Sequence, residues 1–125
     1  MKIIQHLSEH KLFKVLAVIW TITILYLCLS DSPNVPNFKL PFKDKIVHFS
    51  FYFMFVFLWV KSFENKTFKK GLIVLFLAIL LGISIEFLQE NFTVHRTYDN
   101  YDILANTLGG LFSFLLVIKF HLIKN

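Results

Sequence analysis

A single cysteine, Cys28, excludes an intramolecular disulfide and leaves the redox compartment open. Charge is sparse too: 17% of the 125 residues are Asp, Glu, Lys or Arg, against about a quarter in ordinary soluble domains. All three prolines fall between positions 33 and 41, so the rest of the chain lacks the strongest helix breaker. Also missing are the GxSxG, Walker and dinucleotide-binding signatures, which sets aside the enzyme classes built on them. No HExxH signature occurs, and the residue pattern assigns no cofactor and no metal.

What the chain has in abundance is apolar surface, with 56% hydrophobic and 18% aromatic residues. Four runs, Leu12 to Leu29, Ile46 to Phe63, Gly71 to Gln89 and Ile103 to Ile123, approach the ~20 residues that cross ~30 Å of hydrocarbon. The fold class expected is all-α, a single-domain integral membrane bundle of four transmembrane helices. Lys2, Lys11 and Lys14 before the first run imitate a secretory signal, but Leu27, Cys28, Leu29 and Ser30 make no small-x-small cleavage site, so the run reads as a permanent span. Phe49, Phe51, Phe53, Phe55 and Phe57 alternate as in a strand. A lone strand cannot satisfy its backbone in lipid, and helix is the expected state.

Basic residues orient the bundle. Lys2, Lys11 and Lys14, then Lys61, Lys66, Lys69 and Lys70, then Lys119 and Lys124 all belong to one face, while the other holds Lys39, Lys43, Lys45 and Arg96. Both termini are therefore expected in the cytoplasm. The net charge of +5 follows from this bias and gives no nucleic-acid signal, since no basic stripe lies on a soluble surface. Ser30 to Pro41 reads as an extended connection or lid, and Asn65, Lys66, Thr67 and Lys70 as a short turn that makes the second and third spans antiparallel neighbours. Ala105, Gly109 and Ser113 recur every four residues, a spacing that lets helix backbones approach closely.

Under this topology Asp44, His48, Glu86, Gln89, Arg96, Asp99, Asp102 and Asn106 reach one extracytoplasmic face. Ionisable groups in or near hydrocarbon cost about 2.5 to 3.5 kcal/mol on insertion scales, so their gathering marks a site. Glu86, His48 and Asp102 are the candidate acid–base groups, Arg96 an anion clamp, and Gln89 and Asn106 amide donors. Such a set suits an anionic or glycan-bearing lipid headgroup. Plainer roles stand beside these: Asp99 as a helix cap with Asp102 near the positive helix end, His48 as an interfacial packing residue, and Arg96 as a clasp on Glu86. His48, Glu86 and Asp102 also have the donor types for a metal, though nothing in their spacing marks one.

Asp44-Lys45 followed by His48 and Tyr52, then Gly82, Glu86 and Gln89, then Arg96, Asp102, Asn106 and Gly109, resembles the VanZ-like family over roughly Asp44 to Gly110. The resemblance implies a small multi-pass protein of the bacterial cell membrane, in a family named for a member associated with low-level resistance to the glycopeptide teicoplanin. Three readings of function are carried forward. The first is an envelope protein that binds a lipid or glycolipid headgroup, and the second a membrane-embedded hydrolase or transferase acting on such lipids. The third is a helper subunit or homo-oligomer that meets a membrane-protein partner through the small residues of the fourth span. A channel is disfavoured because the inner halves of the spans offer no polar path.

Overall fold

A computed structural model describes residues 2–30, 43–92 and 100–124. These residues form four helices: α1 (Lys2–Leu29), α2 (Lys43–Lys61), α3 (Phe68–Phe92) and α4 (Asn100–Lys124). Among the described residues there is no strand, so the alternating phenylalanines do lie on a helix. Phe49, Phe53 and Phe57 stack at successive turns with centroids 6.3 and 6.5 Å apart, while Phe51 meets Trp20 edge-on at 5.8 Å. Helix, not pleat, brings rings four residues apart into contact.

Each helix runs past its apolar stretch at one end or both, α2 by beginning at Lys43, because the flanking polar residues continue the helical hydrogen bonding. Thr67 begins α3 as an N-cap, its hydroxyl accepting from the Lys70 N–H at 3.2 Å and its carbonyl from that of Gly71 at 3.0 Å. α2 stops at Lys61, two residues short of the apolar boundary. There Ser62 donates from Oγ to the Trp59 carbonyl at 2.6 Å, and the backbone turns toward α3. The connection read as Asn65 to Lys70 is therefore the α2–α3 turn together with the first residues of α3.

The helices alternate in direction. His10 faces Lys61 and Trp20 faces Phe51, so α1 and α2 are antiparallel; Gly71 meets Phe114 while Gly82 meets Asn106, so α3 and α4 are too. α2 and α4 run parallel, with Lys45 beside Asp102, His48 beside Asn106 and Phe49 beside Gly109. α2 touches all three other helices and shares its largest interface with α4. The start of α1 and the end of α4 thus lie at one end of the bundle.

Gly109 explains the closeness of α2 and α4. A Cβ there would fall 2.2 Å from the Phe49 carbonyl oxygen, inside any tolerable contact. Ala105 and Ser113 are buried in line with it. The small-residue stripe serves packing within one chain, and the helper-subunit reading loses the surface on which it rested.

Polarity is arranged inside out. Ile22, Phe76, Phe87, Phe112 and Phe120 are each more than half exposed, whereas Glu86 is wholly buried. So large an apolar exterior suits lipid and would aggregate in water. Three helices are long and apolar enough to cross a membrane over their described residues, Glu9–Leu29, Phe68–Phe92 and Asn100–His121. α2, sheathed by the other three, needs less lipid-facing surface.

Candidate functional site

One end of the bundle concentrates the buried polar side chains. Lys45, His48 and Tyr52 share a face of α2 at helical spacing, Glu86 and Gln89 share one on α3, and Asp102 and Asn106 share one on α4. His48, Glu86, Gln89, Asp102 and Asn106 are all buried. Their convergence follows from alternating helix direction, which brings the starts of α2 and α4 and the end of α3 together.

The contacts cross long stretches of sequence. His48 Nδ1 lies 2.9 Å from Asn106 Oδ1, and since an amide oxygen only accepts, Nδ1 carries the proton. Nε2 then faces Asp102 Oδ2 at 3.5 Å. The other oxygen of Asp102 accepts from Lys45 Nζ, whose side chain remains about a quarter exposed (26%). Donor atoms of His48, Glu86 and Asp102 all lie within 4.8 Å of one another. Gln89 donates from Nε2 to the Cys28 carbonyl at 2.7 Å, tying α3 to the last turn of α1. Gly82 makes room for the cluster, because a Cβ there would stand 3.0 Å from Asn106 Nδ2.

His48, Glu86, Asp102 and Asn106 thus come together as the sequence led one to expect, and Gln89 joins the same end through a backbone carbonyl. Asp102 does two jobs: it sits in the first turn of α4, near the positive helix end, and it bridges Lys45 and His48. Arg96 and Asp99 lie outside the described residues, as do the side chain of Asp44 and the connection read as a lid. Glu86 was expected to find His48 or Arg96, and His48 is adjacent.

Two members were not picked out by the residue reading. Lys45 counted toward orientation and, with Tyr52, toward the family resemblance, and its three-residue spacing from His48 already put both on one face of α2. Tyr52, one turn further on, is 1% exposed and lies within electrostatic reach of Glu86. Its hydroxyl, with Asn106 Nδ2 and Ser113 Oγ, is a buried polar atom with no hydrogen-bond partner among the described residues.

These features define a helical membrane protein with a polar cluster buried at one end of an apolar bundle. The chain matches the VanZ/LLP1 family over residues 4–123 and belongs to that family. An uncharacterized protein of the fission yeast Schizosaccharomyces pombe is 34% identical over 110 residues, an alignment that takes in 86% of this chain and 65% of the yeast protein. This chain therefore covers just under two thirds of that relative, and likeness to a yeast protein means that sequences of this kind are not confined to bacteria. No solved structure matches it.

Proposed function

We propose that the protein crosses the membrane four times with both termini in the cytoplasm, and that its polar end binds the headgroup of an anionic or glycan-bearing lipid in the outer leaflet. The observation that carries this reading is the burial of five hydrogen-bonding side chains, His48, Glu86, Gln89, Asp102 and Asn106, with the half-buried Lys45 beside them, at one end of a bundle whose exterior is apolar. A bundle of this size can be held by small-residue packing without burying such groups. Lys45 reaches the edge of the cluster and, with Arg96 from the preceding connection, supplies charge for a phosphate. The carboxylates and amides suit hydroxyl or amine groups beyond it.

The lysine count supports this orientation, since the cluster end is the one poorer in basic residues. In a bacterium the ligand would be an envelope lipid, and glycopeptide susceptibility would change indirectly through its supply or exposure. The similar yeast sequence favours a lipid chemistry common to both settings over one particular cell-wall target.

Native mass spectrometry of the protein in detergent tests the reading. Anionic or glycan-bearing lipids should be retained over zwitterionic ones, and Lys45→Gln should lower that retention several-fold. Equal retention of all lipids would overturn it.

A second reading, hydrolysis or group transfer on the same lipids, draws support from the way His48 is held. With Nδ1 occupied by Asn106, Nε2 is presented beside a carboxylate, the arrangement of an oriented general base. Glu86→Gln should then abolish turnover while sparing lipid retention. Unchanged turnover would remove Glu86 from that mechanism.

A further inference from the structure

We infer that His48, Glu86 and Asp102 form a binding site for a first-row divalent cation, with zinc the best-fitting probe. The three come from three different helices, which is why no local motif announces them, and all are buried. Their donor atoms lie within 4.8 Å of one another, and His48 Nε2 and Asp102 Oδ2 are 3.5 Å apart. Two ligands at ~2.0 to 2.1 Å from a tetrahedral zinc stand about 3.3 to 3.4 Å apart, so this pair needs almost no movement and Glu86 a modest approach. One imidazole nitrogen with two carboxylates is a donor set suited to zinc, with manganese a close competitor; magnesium and calcium favour all-oxygen shells.

Two further features point to a cation and not merely to a polar cluster. Asn106 takes up Nδ1 of His48, so Nε2 is the ring nitrogen aimed at Asp102 Oδ2. A metal seated between Nε2 and Oδ2 would take the place of any proton shared there and be chelated by both. A hydrogen bond from the far ring nitrogen to a carbonyl-type oxygen is also how metal-ligating histidines are oriented. Lys45 occupies only Oδ1 of Asp102 and leaves Oδ2 to the site.

The Tyr52 hydroxyl supplies the second feature. It is fully buried without a hydrogen-bond partner among the described residues, on the face of α2 that carries His48. Side chains on a helix lean toward its N-terminus, which carries the Tyr52 ring toward His48 one turn earlier. An oxygen placed there can complete the coordination shell or donate to a water on the metal. The inference is independent of lipid binding, because every group it uses belongs to the chain.

The test uses full-length protein in phospholipid-free detergent, stripped with a chelator and reloaded with zinc. About one zinc per chain should survive gel filtration, and X-ray absorption should report one imidazole nitrogen with oxygen ligands. His48→Ala and Glu86→Gln should each lower zinc affinity at least ~10-fold, the scale on which even outer-sphere partners act. His10→Ala and His121→Ala, which sit away from the cluster, should leave it unchanged. Wild-type protein holding under about a tenth of a zinc per chain would overturn the inference, and so would a spectrum with sulfur or several imidazoles, which needs no variant to fold. Stoichiometric zinc in the folded His48→Ala Glu86→Gln double variant would also overturn it. Headgroup selectivity is measured separately by lipid retention, so either reading can fail while the other stands.

Discussion

The two ends of the bundle solve the same problem differently. Where α2 turns into α3, polar groups are satisfied mostly locally: Ser62 on Trp59, Lys66 on Phe63 and Lys70 on Asn65 all lie within five residues, while the contact of His10 with the Lys61 carbonyl spans 51. At the opposite end they are satisfied across the fold, with partners 57 to 61 residues apart joining Lys45 to Asp102, His48 to Asn106 and Gln89 to Cys28. Lysines sharpen the contrast. Lys45 rests on a carboxylate, whereas Lys66 rests on the Phe63 carbonyl and lies near Lys61. Local satisfaction needs only a turn; long-range satisfaction requires four helices in register, and a structural bundle has little cause to depend on it. Where the demanding arrangement occurs, function is the simplest cause.

The sharpest way to break that comparison is to separate α2 from α4. Gly109→Ala puts a methyl group 2.2 Å from the Phe49 carbonyl oxygen, a backbone atom that cannot swing aside. We expect a loss of about 3 kcal/mol or more, at or above the upper end of ordinary overpacking, together with loss of every cluster function. Unfolding in graded denaturing detergent measures it. Unchanged stability would mean that the two helices are not held as described.

Next in size is the cluster itself. Asp102→Ala removes the carboxylate from beside both Lys45 and His48. Breaking a buried pair costs about 3 to 5 kcal/mol. Lys45 is partly solvated, so about 2 kcal/mol is the expected loss. Adding Lys45→Met should restore part of it, and a double-mutant cycle without coupling would reduce the ion pair to a surface contact.

The smallest effect belongs to the other end. Burial, then Lys61, hold the pKa of Lys66 below the ordinary lysine value, with Glu9 opposing them. The folded chain therefore gives up that proton before the unfolded chain does, so stability rises as pH climbs through the folded pKa toward the ordinary one. Lys66→Gln should remove this increment, seen as a flatter dependence of stability on pH just below the ordinary lysine pKa than in the wild type. Parallel curves would show that Lys66 is no more constrained than a solvated lysine.

Much of this architecture was legible in the sequence, because lipid leaves few choices. Four apolar runs with polar residues at alternating ends force an alternating bundle, and Glu86, His48, Asp102 and Asn106 had to share an end. Pairing was not legible, since adjacency of helices in space is not adjacency in sequence. The stripe of Ala105, Gly109 and Ser113 announces close approach but not the identity of the neighbour, which is α2 of the same chain. Lys45 likewise looked like an orientation signal until Asp102 stood beside it. A metal donor set drawn from three helices has no spacing to read. The helix ends differ from the apolar boundaries for a plainer reason: hydropathy marks where lipid would begin, and capping marks where the backbone stops winding.

The pairing of α2 with α4 also has a consequence for biogenesis. α2 leaves the ribosome long before its principal partner, so His48 and Lys45 must wait near the membrane until Asn106 and Asp102 are synthesised. Until the last helix arrives, the first three hold an unfinished polar seam, and a nascent chain arrested before residue 100 would be the form most exposed to membrane quality control.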